Sequence, residues 1–136
     1  MYPIIKRFLD ISSATILLII ISPIILVLAF IVRINLGCPI FFIQERTGKG
    51  QKTFKLYKFR TMSNAFDKDG NLLPDRDRVT KFGKFLRSTS LDELPELINI
   101  IKGDMSVIGP RPLPLKYNPY YKNEEIARFN VRAGLI

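Results

Sequence analysis

Two adjacent acids, Asp92 and Glu93, lie in the largely apolar stretch STSLDELPEL at residues 88–97. Carboxylates can serve an enzyme as acid, base or nucleophile. The same letters match a capping box, in which the Ser90 hydroxyl caps a helix and Glu93 bonds back to it. These residues alone leave both interpretations open, a helix start or a reactive pair.

A second group of side chains has the chemistry to bind phosphate. Pro110 and Pro112 bracket Arg111 and stiffen its backbone, and a guanidinium on a stiff turn suits two-pronged bonding to a phosphate or carboxylate. An exposed arginine on a surface turn is the alternative. The sequence contains no histidine, which excludes imidazole bases and Ser-His triads. An enzyme made from this chain would use carboxylates, Lys, Tyr, Ser, Thr or the one cysteine, Cys38.

An uncharged apolar run occupies residues 11–32, and about 20 such residues suffice for a membrane helix. Pro23 removes a backbone donor in the middle of the run, and the Ser22 hydroxyl can satisfy part of the freed backbone. Both a kinked spanning helix and a re-entrant helix fit this pattern. Basic residues flank both ends, which favours the re-entrant path because positive flanks stay cytoplasmic. We therefore predict that residues 1–36 form a re-entrant membrane helix broken at Ser22-Pro23.

The remaining residues, 37–136, predict a small cytoplasmic domain of α/β class that is rich in helix. Residues 39–62 are expected to form short strands or extended segments around a TGKG turn, and TFKLYKF (53–59) alternates apolar with polar side chains. Residues 79–87 form a basic amphipathic helix that either lies on the membrane or packs on a core. Apolar residues at helical spacing follow the acidic pair and stop at Gly103, and a polar amphipathic helix is expected within 115–132.

Six stretches, taken in order, resemble the bacterial sugar transferases, also called monotopic phosphoglycosyl transferases. These stretches are the Ser22-Pro23 pair, GCPIFFIQERTGKG (37–50), YKFRTM (57–62), RVTKFGKFLRSTSLDELPEL (78–97), GDMSVIGPRP (103–112) and VRAGL (131–135). The resemblance covers nearly the whole chain. Two differences stand out: Glu96 occupies a position where the family mostly has Gln, and Ala133 occupies one where Pro is usual.

The resemblance implies an activity. It implies transfer of a sugar-1-phosphate from a UDP-sugar to undecaprenyl (polyprenyl) phosphate, with release of UMP, as the first membrane step of surface-glycan or glycoprotein-glycan synthesis. The implied location is the cytoplasmic face of the bacterial inner membrane, in contact with its lipids. The implied cofactor is Mg²⁺.

The resemblance also implies roles for particular residues. Asp92 would be the nucleophile that forms a covalent phosphosugar-aspartate, and Glu93 would hold Mg²⁺ together with it. Further side chains are expected to bind the substrate phosphates or to shape their site: Arg87, Arg111, Pro110, Pro112, Arg60 and, more weakly, Lys58.

Two other functions compete with the enzyme. The family continues past this point with a further helix, so the domain is expected to be incomplete at its C-terminus, and an inactive membrane-bound remnant is the main alternative. The net charge of +9 suits a basic protein that binds anionic lipid or nucleic acid by charge alone. The order of the motifs argues against that third function, so no nucleic-acid partner is expected. The sequence leaves the oligomeric state open, with a homo-oligomer among the alternatives.

Overall fold

The computed structural model describes residues 2–136. The first helix, α1, is Tyr2–Leu36, with Pro23 inside it. Strands β1 (Phe41–Thr47) and β2 (Thr53–Phe59) form a two-stranded sheet. Three helices follow: α2 (Asp75–Arg78), α3 (Lys81–Thr89) and α4 (Glu96–Lys102). Strands β3 (Met105–Ser106) and β4 (Ala133–Gly134) are parallel, with Met105 opposite Ala133. The helix-rich architecture with a few short strands confirms the predicted fold in outline.

Helix α1 is the one described element that is long and apolar enough to cross a membrane. Most of its apolar side chains are exposed, as for Ile19, Ile20 and Leu26. The helical assignment runs through Ser22 and Pro23 without interruption. These facts support a membrane helix by length and composition, and the re-entrant path remains a prediction.

The chain divides into two compact units. The first unit comprises 2–21, 43–57 and 96–136. Its core gathers one buried residue from α1 with residues of β2, α4, β3 and β4. These are Ala14, Phe54, Leu56, Leu97, Ile100, Met105 and Ala133. Asn99 is fully buried among them. Its side-chain amide bonds to the backbone of β2 as a neighbouring strand would: it accepts from Tyr57 N at 3.1 Å and donates to the Lys55 carbonyl at 2.7 Å.

The second unit comprises 22–42 and 58–95. Its core joins the C-terminal half of α1 to the end of β2 and to α3, through Leu28, Val32, Phe59 and Leu86. Phe41 stacks on Phe59 with ring centroids 5.5 Å apart. Hydrophobic burial thus fixes α3 against the helix that is expected to enter the membrane.

Two predicted elements take a different form. The helix expected within 115–132 is instead a pair of 3₁₀ segments, Leu115–Tyr120 and Glu125–Asn130, with Pro119 inside the first. Proline cannot donate the backbone bond that an α-helix interior needs, which explains the first departure. The helix expected directly after the acidic pair begins only at Glu96, because Leu91–Glu93 form a separate 3₁₀ turn.

Candidate active site

The acidic pair lies in the 3₁₀ turn between α3 and α4. Ser90 precedes it in a left-handed conformation, with φ 58° and ψ 18°. Its N–H closes α3 by donating to the carbonyls of Leu86 and Arg87, and its carbonyl accepts from Glu93 N at 3.2 Å. The Ser90 side chain makes no capping bond. The predicted capping box is therefore wrong: Ser90 terminates one helix and leads into a 3₁₀ turn, so its hydroxyl does not cap an α-helix.

Asp92 is buried, with 9% of its surface exposed. Burial raises the pKa of the Asp92 carboxyl above its usual value, because desolvation disfavours the charged form. The charge of Lys58 acts in the opposite direction, Glu93 adds to the rise, and Arg87 lowers the pKa slightly. The carboxylate is thus partly stripped of water and sits within the field of two cations, which is a setting for a reactive acid.

Lys58 links β2 to the acidic turn. Its Nζ lies 3.2 Å from Oε1 of Glu93, and the two side chains are only 16% and 19% exposed. A pair this shielded from water is screened less by salt than a surface pair. Lys58 therefore orients Glu93 and brings a positive charge to the place where the sequence predicts phosphate.

Arg87 is positioned by the close approach of α3 to residues 60–62. The Arg87 Nε donates to Thr61 Oγ1 at 2.9 Å. Gly83 makes this approach possible, because a Cβ at that position would lie 2.0 Å from the Thr61 carbonyl oxygen. Thr80 caps the start of α3 by accepting from Gly83 N at 2.9 Å. The local sequence thus fixes the arginine that influences Asp92.

Arg60 has a different environment from the one expected of a phosphate clamp. It is 6% exposed, and its guanidinium donates to the carbonyls of Leu36 (3.3 Å), Pro39 (2.9 Å) and Met62 (3.2 Å). These bonds tie the end of α1 to the residues after β2. Arg60 thus has a structural contact in a buried position, and its role in binding phosphate stays a prediction.

The Pro110-Arg111-Pro112 turn belongs to the first unit. All three of its carbonyls accept hydrogen bonds: Pro110 from Gly134 N at 2.9 Å, Arg111 from Arg128 Nη2 at 2.5 Å, and Pro112 from Arg46 Nη1 at 3.0 Å. The Arg111 side chain is exposed. The turn is thus fixed in its backbone and presents its arginine outward, in agreement with the stiff turn that the sequence predicts.

The second unit therefore brings together Asp92, Glu93, Lys58 and Arg87. Sequence reasoning missed the residues that hold the first-unit turn, Arg46 and Arg128. Their bonding partners are 66 and 17 residues away. No local pattern marks such contacts.

The acidic pair is a fitting place for a divalent metal ion of the magnesium type. Magnesium is commonly bound by one or two carboxylates together with waters and substrate phosphates. Asp92 and Glu93 supply two carboxylates, one of them shielded from water. Within residues 2–136 there is no group of three or more His, Cys, Asp or Glu residues of the kind that would form an all-protein metal cage. The donor set suits an ion shared with a phosphate ligand.

Comparison with known proteins decides the family. A sequence model of the bacterial sugar transferase family matches residues 1–136. The chain belongs to this family. Among these sugar transferases, the uncharacterized EpsL of Bacillus subtilis is 48% identical over 132 residues, which is 97% of this chain and 65% of EpsL.

Two longer sugar transferases also match. The UDP-N-acetylgalactosamine-undecaprenyl-phosphate N-acetylgalactosaminephosphotransferase of Aeromonas hydrophila is 43% identical over 82% of this chain. The UDP-glucose:undecaprenyl-phosphate glucose-1-phosphate transferase of Escherichia coli is 43% identical over 88% of it. The chain spans 65% of EpsL and only 27% and 26% of these two proteins.

Proposed function

We propose that this sugar transferase moves a sugar-1-phosphate from a UDP-sugar to undecaprenyl phosphate and releases UMP. The observation that supports this most strongly is the acidic turn. Asp92 is buried there, Glu93 is bonded to Lys58, and Arg87 lies on the adjoining helix. The named activities of the relatives from Aeromonas hydrophila and Escherichia coli agree with it.

In the first step, a carboxylate oxygen of Asp92 attacks the β-phosphorus of the UDP-sugar. The bond between that phosphorus and the bridging oxygen breaks, and UMP departs with the bridging oxygen. The phosphosugar remains on Asp92 as an acyl-phosphate. Loss of water around Asp92 favours this step, because a poorly hydrated carboxylate gives up less solvation when it attacks.

In the second step, a phosphate oxygen of the lipid attacks the same phosphorus. The Asp92–phosphorus bond breaks, the carboxylate is restored, and the lipid carries a diphosphate-linked sugar. Lys58 and Arg87 stabilise the negative charge of the reacting phosphate in both steps. We further assign Arg111 to binding a phosphate of the substrate. Pro110 and Pro112 keep the Arg111 backbone stiff.

Mg²⁺ fits the proposal as a bound cofactor. Held by Asp92 and Glu93, it would neutralise phosphate charge and polarise the reacting phosphoryl group. The contact between Lys58 and Glu93 would fix the orientation of the Glu93 carboxylate.

We further propose that α1 enters the cytoplasmic leaflet and returns to the same face by bending at Ser22-Pro23, where Pro23 lacks a backbone donor inside the helix. The amphipathic helix α3 would lie at the membrane surface, since Phe85 is 50% exposed beside the exposed cations Lys81 and Lys84. The catalytic turn follows α3 directly, so this arrangement would keep Asp92 near the lipid phosphate.

The test is UMP release in lipid nanodiscs that contain Mg²⁺, undecaprenyl phosphate and a panel of UDP-sugars. We expect release with at least one sugar and a loss of at least about a thousand-fold in Asp92→Asn. Asp77→Asn, which alters an exposed acid of the same unit, is the matched control and should behave as the unchanged chain. The Escherichia coli relative with UDP-glucose shows that the assay works. No release by the unchanged chain with any donor would contradict the proposal and favour the inactive remnant.

A further inference from the structure

A carboxylate lies in the first unit within the apolar helix α1. Asp10 is 7% exposed, and it is the one acidic residue of α1. Asp10 directly precedes the uncharged run 11–32, and a buried charge is costly unless it is paired and hydrogen-bonded. An anchor that only holds the protein on the membrane requires no such group, so the partners of Asp10 indicate what it does.

Both carboxylate oxygens of Asp10 accept bonds from a segment almost 100 residues away in the chain. Ser106 Oγ donates to Oδ2 at 2.7 Å, and the Val107 N–H donates to Oδ1 at 3.2 Å. Lys6, one turn earlier in α1, lies 3.2 Å from Oδ2. Its ammonium also donates to Ser106 Oγ and, at 3.3 Å, to the Ile108 carbonyl. The charge is thus compensated by a cation and by two polar groups of one short segment.

The same segment is held on its other side by the residues around β4. Leu135 N donates to the Ser106 carbonyl at 3.1 Å, and Ile136 N donates to the Val107 carbonyl at 3.0 Å. The N–H of Val107 and the hydroxyl of Ser106 are therefore directed to α1, while their carbonyls are directed to 135–136. Asp10 thus supplies the acceptors for the polar donors of Ser106 and Val107 that the residues around β4 do not satisfy.

A second residue of α1 extends this contact. Arg7 donates to the Ile101 carbonyl at 3.0 Å and to the Met105 carbonyl at 3.4 Å. Lys6, Arg7 and Asp10 thus bond to the chain from the end of α4 to Ile108. Only Gly109 separates this stretch from the Pro110-Arg111-Pro112 turn.

We infer that Asp10 is a positioning residue, which fixes Ser106 and Val107 on α1 and thereby sets the place from which Arg111 reaches the substrate phosphates. This role rests on the proposed function in so far as it concerns Arg111.

The first test is amide hydrogen exchange in nanodiscs, which needs no substrate. Asp10→Leu removes both acceptors and suits an apolar helix, so exchange at Val107 should accelerate at least about 10-fold, while Leu56 in the core of the same unit stays protected. Asp10→Asn retains one acceptor oxygen and should give a smaller acceleration in a chain that still folds. Ser13→Leu is the matched control, because the Ser13 hydroxyl bonds only to carbonyls of its own helix. Unchanged exchange at Val107 in both Asp10 variants would overturn the inference.

The second test is a pair of double-mutant cycles on kcat/KM for the UDP-sugar. If Asp10 acts through Arg111, the double variant of Asp10→Asn and Arg111→Lys should lie within about 3-fold of the worse single variant. Asp10→Asn combined with Arg87→Lys should instead give the product of the two single effects. If Asp10 had only a structural role, the fold-losses in kcat/KM of the single variants would multiply in both cycles. That result would overturn the link to Arg111. If the unchanged chain released no UMP, only the proposed function would be contradicted. The hydrogen-exchange rates would still show whether Asp10 holds Val107.

Discussion

At the scale of single residues, Asp92 combines two opposing demands. It must be ionised to attack phosphorus, yet its burial disfavours the charged form and raises its pKa. Lys58 and Arg87 reduce that cost without removing it. A residue kept in an unfavourable environment for its reactivity commonly lowers the stability of the protein.

This conflict predicts a pH-dependent stability difference between the unchanged chain and Asp92→Asn. Because the folded-state pKa of Asp92 is raised, the ionised carboxyl costs stability at pH 7, and the cost fades as the pH falls through that pKa toward about 4, the unfolded value. In magnesium-free nanodiscs we expect Asp92→Asn to melt at a higher temperature than the unchanged chain at pH 7 and at an equal temperature near pH 4. Asp77→Asn should show no such trend. A lower Tm for Asp92→Asn that becomes worse with rising pH would contradict this account.

The acidic pair could be found from sequence because its members are adjacent and its motif is local. Asp10 could not, because Asp10 and Ser106 meet only through the fold. The structural contact of Arg60 could not be found from sequence for the same reason, because its guanidinium meets three backbone carbonyls only through the fold.

At the scale of elements, the patterns that depend on burial predicted well. Alternation over residues 53–59 predicted β2, and the spacing of Phe82 and Leu86 predicted α3. Patterns whose outcome depends on which of two hydrogen-bond partners a residue takes predicted the helix ends poorly. Ser90 could equally cap a new helix or end the previous one, and the left-handed backbone that decides this is not encoded by a serine.

Arg60 provides the prediction at this scale, since it joins the end of α1 to the residues after β2. Arg60→Met leaves three carbonyls without their donor, and we expect a loss of about 3 kcal/mol in the free energy of unfolding. Arg87→Met should change that free energy by less than about 1 kcal/mol, because Arg87 is exposed, and should instead lower the rate of UMP release. Denaturant unfolding in parallel with the UMP assay separates the two arginines. If Arg60→Met were as stable as the unchanged chain, the structural role of Arg60 would be contradicted and the phosphate-binding role would be favoured.

At the scale of the whole molecule, the path of α1 determines where the catalytic turn lies relative to the lipid. Length and composition qualify this helix for a membrane, and Pro23 with basic residues on both flanks favours re-entry. Composition alone cannot distinguish the two paths, because a kinked spanning helix has the same residues.

Cysteine labelling in bacterial cells distinguishes them. Cys38 is exposed two residues after α1 ends, and it is the one natural cysteine. Ile4→Cys in a Cys38→Ser background places a second reporter at the other end of the helix. A membrane-impermeant maleimide should label neither site in intact cells and both after permeabilisation. Labelling of either site from outside would contradict the re-entrant path.

The central claim is that Asp92 is the nucleophile, and trapping the intermediate tests it most directly. The chain would be incubated with Mg²⁺ and the productive UDP-sugar in nanodiscs without undecaprenyl phosphate, and its peptides then weighed by mass spectrometry. We predict one UMP released per chain and the added mass of one sugar phosphate on the peptide that contains Asp92, with neither in Asp92→Asn. Release of UMP by Asp92→Asn at the rate of the unchanged chain, or the added mass on another residue, would contradict the mechanism.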